Sequence, residues 1–387
     1  MKRVVKILAM MGLLSSCSHL SVTKDLLTPD YLLAKGTVQV TFQGDNEHPR
    51  FSPDGTKLVY SSSGRQNHKG SQIYEMDLTR NKERRVTYSD GDAFDPDYVS
   101  DSEIIYASTT DEIKESPFIN KNFDRNYPPS DLYMSDRFGS EILRLTQQPG
   151  FDAEPVFVSH PTKPFILFTA NHGDLLGIDR MDLKNLAVSP VSATADKERR
   201  FPAITPDHKQ IIYVEKDKKT QEQSLVLFTI RNKKSEVLKS GEGTYRDLAF
   251  APRTPNRLFY SILRKGEKQY QLETYDLEDK CTQVVFKGVD SLAGPAVSDD
   301  SRERIAFTRN FQGKKQIYVV YLPDDLGPCL ETKNSSPAIP VTPPTPPVQP
   351  KEPAPQTTPT VTVPSPQASV SPALKAAEPT STATSAN

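Results

Sequence analysis

The residues best suited to chemistry stand beside a proline that recurs along the chain. Pro49, Pro96, Pro155, Pro202 and Pro295, with Leu248 in the same place between the last two, are spaced by 47, 59, 47, 46 and 47 residues. Directly before them come His48, Asp95, Glu154, Phe201, Asp247 and Gly294, and one place earlier two repeats carry Arg200 and Arg246. If a fold brings equivalent positions together, a histidine, three carboxylates and two arginines converge. Asp95, Glu154 and Asp247 could then offer oxygens to Ca²⁺, a cation that takes several at roughly 2.3–2.6 Å. Balanced by Arg200 and Arg246, the same groups would instead form a solvated rim that recognises a partner by charge and hydrogen bonding. His68 and His172 could join His48 at zinc only if three separate loops met, so no metal centre is expected.

Other reactive patterns are sparse. The chain has no G-x-S-x-G nucleophile elbow. Its three cysteines, Cys17, Cys281 and Cys329, show no C-x-x-C spacing. In an exported protein Cys281 and Cys329 can oxidise, and closing such a loop would contribute about 4 kcal/mol in the chain-entropy model. Whether their Cα atoms come within reach is left open by the sequence. Among 387 residues, 48 Lys and Arg face 49 Asp and Glu, a net charge of −1 that argues against an electrostatic nucleic-acid binder.

Each anchor proline opens a unit of four short strands. In the first unit, Phe51-Ser52-Pro53-Asp54-Gly55 is a turn, because Pro pre-sets φ and Gly tolerates the tight backbone at the turn's end. Lys57-Leu58-Val59-Tyr60-Ser61 is a β-rich run with an apolar centre, Ile73 to Leu78 alternates, and Arg85-Val86-Thr87-Tyr88 completes the set. Six units at this period predict an all-β, six-bladed β-propeller over residues 38–330. Val38 to Thr41 reads as a fourth strand without its own blade. The sixth unit supplies only three strands, Ala293 to Val297, Arg304 to Thr308 and Gln316 to Leu322. The N-terminal strand is therefore expected to complete the last blade and close the ring, which removes exposed edges.

The recurring P-x-F-S-P-D-G-x-x-L-x-Y…I-Y-x-x-D-L…L-T pattern resembles the repeat of TolB-type propellers. It is strongest over His48–Thr87 and Pro96–Thr146, and the resemblance spans about residues 38 to 325. WD-type repeats would show Trp-Asp ends, and this chain has no Trp. The resemblance implies an envelope-located binding propeller. Unlike TolB, the chain leaves no room for an additional domain between Cys17 and Val38.

Residues 1–16 read as an export signal, with Lys2, Arg3 and Lys6 before a short apolar core. Leu14-Ser15-Ser16-Cys17 resembles the bacterial lipobox, which implies lipidation of Cys17 and attachment to a membrane through acyl chains. Ser18, rather than Asp, comes next, which by the same analogy implies the outer membrane. A tether over 17–37 leads to the propeller. The tail, 331–387, holds 14 prolines in 57 residues and no aromatic, so it is expected to be disordered. It would act as a spacer, cross the cell-wall layer in association with peptidoglycan, or present a docking segment.

The second unit carries about 12 extra residues between Ser108 and Asp131, in its second-to-third connection. Phe118, Phe123, Arg125 and Tyr127 in this insertion have the character of interface anchors, or pin the loop to its own blade. Fourth-to-first and second-to-third connections share one face of a propeller, so rim and insertion would lie together. The reading is a membrane-anchored, non-enzymatic binding or scaffold propeller that engages an envelope protein or peptide through this channel-mouth face. The alternative is a carbohydrate-binding or lyase-like propeller acting on glycans.

Overall fold

In a computed structural model, residues 36–111, 128–147, 150–172, 175–323 and 325–330 are described. The export signal, Cys17, nearly all of the tether, the insertion residues Phe118, Phe123, Arg125 and Tyr127, and the tail lie outside the described residues.

β1 (Val38–Gln39) opens the ring. Blade one is β2 (Asp45–Phe51), β3 (Lys57–Ser63), β4 (Gln72–Asp77) and β5 (Lys82–Arg85). Blade two is β6 (Ala93–Tyr98), β7 (Glu103–Ser108), β8 (Asp131–Asp136) and β9 (Leu143–Arg144). Blade three is β10 (Asp152–Val158), β11 (Phe165–His172), β12 (Leu175–Asp182) and β13 (Val188–Ser192). Blade four is β14 (Lys197–Ile204), β15 (Gln210–Asp217), β16 (Gln223–Thr229) and β17 (Lys234–Ser240). Blade five is β18 (Gly243–Phe250), β19 (Arg257–Arg264), β20 (Gln271–Asp276) and β21 (Cys281–Phe286). Blade six is β22 (Ser291–Val297), β23 (Arg304–Phe311), β24 (Lys314–Tyr321) and then β1, in the order β1-β24-β23-β22. Every pair is antiparallel. The six four-stranded blades and the closure by the N-terminal strand match the sequence expectation.

The second strands are apolar runs rather than alternating ones because each blade is covered on both faces. Leu58 and Tyr60 pack with Ile317 and Val319 of blade six, while Val59 packs with Ile104 and Tyr106 of blade two. The repeated S-P-D-G turn holds itself together: Ser52 Oγ donates to Asp54 Oδ1 at 2.6 Å, which also accepts the Thr56 N–H at 2.9 Å. The degenerate T-P-D-H-K turn does the same, with Thr205 Oγ1 donating to Asp207 at 2.7 Å.

The V-T and L-T pairs fall just past the fourth strands rather than within them. Their threonines serve as pins. Thr41, Thr87 and Thr146 each accept the N–H of a third-strand residue, Ile317, Ile73 and Leu132, at 2.8–2.9 Å. Each then donates to the side chain one residue earlier, Gln316, Gln72 or Asp131, at 2.8–3.1 Å. This pair of bonds needs a hydroxyl, which both accepts and donates.

After β24 the chain turns back to the outer strand of blade five. Leu330 N–H donates to the Thr282 carbonyl at 2.7 Å, and Cys329 is joined to Cys281 with a Cα–Cα distance of 5.4 Å. The disulfide thus straps the end of blade six onto blade five. Replacing Cys281 and Cys329 by Ser should cost up to about 4 kcal/mol by the chain-entropy argument. The expected result is a lower midpoint in denaturant titrations for the variant than for the oxidised parent, and no difference once the parent is reduced. Equal midpoints before reduction would show that the strap adds nothing.

Candidate functional site

The six residues before the anchors lie inside the innermost strands, not in loops at the channel mouth. Each sits at a β-bulge where the register between first and second strands slips. His48, Asp95, Glu154, Phe201, Asp247 and Gly294 all take a left-handed backbone, with φ of 53°, 50°, 55°, 54°, 54° and 64°. For the five that are not glycine this costs on the order of 1 kcal/mol each, so the surroundings must hold them there. The bulges aim side chains from five blades at one axial cavity of about 20 Å³, lined by His48, Asp95, Glu154, Phe201 and Asp247 among others. That is room for about one water.

Here the carboxylates do not stand open for a cation. His48 Nδ1 lies 2.6 Å from Asp95, and its Nε2 lies 3.6 Å from Asp247 and 3.1 Å from an Arg246 terminal nitrogen. Arg246 Nε also donates to Asp247 at 2.7 Å. Glu154 pairs with Arg200, whose Nε is 2.9 Å away, and accepts the Phe201 N–H at 2.8 Å. Asp247 accepts the Gly294 N–H at 3.1 Å. A carboxylate of one blade therefore holds the bulge N–H of the next, twice around the ring.

Asp247 of blade five reaches His48 of blade one past blade six, which places Gly294 at this level. A Cβ there would stand 3.4 Å from Pro49 and 3.6 Å from His48. Burial works against charge on His48, yet Asp95 and Asp247 outweigh it and raise its pKa to about 10. Asp95 and Asp247 are both held below the usual carboxylate range despite burial, Asp95 mainly by His48 and Asp247 by Arg246 together with His48. Arg246 is raised by Asp247. Among the described residues, no group of three or more His, Cys, Asp or Glu is arranged to hold a metal. His68 is engaged elsewhere, with Nδ1 at 2.7 Å from the Gly70 carbonyl and Nε2 at 3.0 Å from Tyr74 Oη. The cluster is a girdle, charged at neutral pH, that ties blades one, two and five.

The convergence of His48, Asp95, Asp247 and Arg246, and separately of Glu154 and Arg200, accords with the repeat spacing. Sequence reasoning missed the exposed apolar residues of the same face. Phe42 and Tyr88 are 68% and 71% exposed, at equivalent places after V-T in the connections from blade six to one and from one to two. Val289, in the connection from blade five to six, is 60% exposed, and Phe311, at the second-to-third connection of blade six, is 45% exposed. The signal was available: a large aromatic directly after the threonine that follows a fourth strand has no partner strand to cover it.

These blades define a six-bladed β-propeller of the TolB type in fold. The structure of a putative TolB from Agrobacterium tumefaciens is similar at 13% identity, with 73% of this chain and 93% of that chain covered and a TM-score of 0.52. An oligogalacturonate lyase from Vibrio parahaemolyticus is similar at 14% identity, 75% and 81% coverage and a TM-score of 0.51. An oligogalacturonate lyase in complex with manganese is similar at 16% identity, 74% and 80% coverage and a TM-score of 0.50. At these identities the likeness is one of fold. No protein-family model matches the chain, and no curated protein matches it.

Proposed function

We propose that the protein is a non-enzymatic binding propeller of the cell envelope, held to the outer membrane through lipid on Cys17, that engages a protein partner with its channel-mouth face. The carrying observation is the arc of exposed Phe42, Tyr88, Val289 and Phe311, the first three on connections of that one face and Phe311 at the end of β23 on the same face, all within the sector from blade five to blade two. Two of these aromatics have an arginine beside the ring: Arg85 lies 4.5 Å from the Tyr88 centroid and Arg309 5.1 Å from that of Phe311. Aromatic and arginine pairs are the residue types enriched at interfaces. The insertion with Phe118, Phe123, Arg125 and Tyr127 connects β7 to β8, and so leaves blade two from the same end. The girdle below ties blades one, two and five, and its charges are already matched to one another.

The test is crosslinking capture from intact envelopes with mass spectrometry. The full chain carrying Phe42→Ser, Tyr88→Ser and Phe311→Ser should lose a specific partner by about tenfold or more, as interface anchors do, with its melting temperature unchanged. Undiminished capture of the same partner by that variant would overturn the proposal. Capture of glycans alone would favour the carbohydrate reading.

A further inference from the structure

A second feature of this face lies on blade one, beside the connection that enters it from blade six. It is a polar groove of about 670 Å³, within the ~300–1,000 Å³ usual for ligand sites. One wall is the connection from β1 to β2, with Gln43 directly after Phe42 in the chain. The other side carries Arg65, Gln66, Tyr74, Glu83 and Arg85.

The floor is internally neutral. Arg65 is nine-tenths buried, gives two nitrogens to Glu83 at 2.6 and 2.9 Å, and lies 4.2 Å over the Tyr74 ring. Arg85 differs. Its Nε donates to the Thr87 carbonyl at 2.6 Å and its guanidinium rests on Tyr88, which fixes its orientation. Among the described residues no carboxylate pairs with it. A held guanidinium with its terminal nitrogens free is shaped to take a carboxylate in two parallel hydrogen bonds. The same charge reaches His68. Burial lowers the pKa of His68, which sits against Tyr74, and the fields of Arg85 and Arg65 lower it further, against the raising effect of the Gly70 carbonyl.

We infer that this groove receives an acidic segment of the protein partner, with an Asp or Glu carboxylate on Arg85 and neighbouring apolar side chains on Tyr88 and Phe42. The inference rests on the reading of this face as a protein-binding surface. Two observations favour a peptide: the uncompensated charge is cationic, and two lining residues adjoin the exposed aromatics, Gln43 following Phe42 in the chain and Arg85 resting on Tyr88.

The test uses the full chain and a fluorescently labelled hexaglutamate peptide, with anisotropy read at low and physiological salt. The parent should bind, more weakly as salt rises. Arg85→Ala should weaken binding roughly fivefold, the worth of one well-formed exposed ion pair. Arg85→Glu should abolish it, and Tyr88→Ala should weaken it. Arg253→Glu serves as the control, since Arg253 lies in a turn of the opposite face and pairs with Asp299. It should bind like the parent. No binding by the parent overturns the inference, as does an equal loss in Arg253→Glu, which would mean diffuse attraction. Arg85-dependent binding of oligogalacturonate without hexaglutamate binding would also overturn it. If Arg85→Glu still captures the envelope partner that the triple serine variant loses, the groove is refuted while the wider reading of the face stands.

Discussion

Deleting Val38–Thr41 should destabilise the entire propeller by on the order of 5 kcal/mol, in a single cooperative transition. The strand is short, but it completes the outer edge of blade six and adds to the packing of Leu58 and Tyr60 on Ile317 and Val319. Val38 and Gln39 pair with Val319 and Tyr318, and Val40 N–H donates to the Ile317 carbonyl at 2.9 Å. Thr41 is nearly fully buried and makes the two bonds of its pin, while Tyr318 Oη donates to Gln39 at 2.9 Å. Val40 packs in the cluster of Leu58, Tyr60, Ile317 and Val319, which joins blades six and one. About 2 kcal/mol for burying a valine and about 1 kcal/mol for each of several hydrogen bonds sum to the stated loss. That is a large part of the 5–15 kcal/mol typical of domains. The deletion also leaves β24 as an unpaired edge, so aggregation should rise. Urea unfolding monitored by tyrosine fluorescence and by far-UV circular dichroism should shift together. Thr41→Val, which removes the pin and keeps the strand, should cost only about 1–3 kcal/mol. If the deletion merely increased exchange in the amides of blade six and left the midpoint in place, the ring would be shown to hold without its closing strand.

His48→Gln should cost about 3 kcal/mol at neutral pH, because it leaves Asp95 and Asp247 buried near each other without the cation between them. Arg246 remains and limits the loss. For a domain of this size the melting temperature should fall by roughly 6–10 °C. The pH dependence has a definite sign. Folding raises the His48 pKa from about 6.5 to about 10. Its contribution is therefore complete below pH 6.5 and is lost as pH climbs towards 10. The gap between parent and His48→Gln should be widest near pH 6 and close progressively above it, as read by thermal melts across pH 6 to 10. A gap independent of pH over that window would mean that His48 acts through packing and not as an imidazolium.

Blade count, blade length and ring closure are legible in the chain alone. They arise from local chemistry repeated at a fixed period: S-P-D-G specifies a turn, apolar β-rich runs specify strands buried on both faces, and three strands at one end call for a fourth from the other. The same period picks out His48, Asp95, Glu154, Asp247, Arg200 and Arg246, since equivalent positions in a closed ring share one radius and one height. Which of them meet emerges only in three dimensions. His48 touches a carboxylate 47 residues ahead and another 199 residues ahead. The second contact reaches past the intervening blade, where Gly294 stands, and so is a property of the whole ring. The bulge that turned an expected open rim into a closed girdle is likewise tertiary, because the slip in register depends on the neighbouring strand. The same is true of the cysteines. Their separation of 48 residues can be counted in the sequence, but their proximity required residues 325–330 to fold back along blade five. Exposure, finally, is not a property of one residue: Phe42 and Tyr88 look like core aromatics in the sequence, and the end of a fourth strand leaves them uncovered on the face where a partner would arrive.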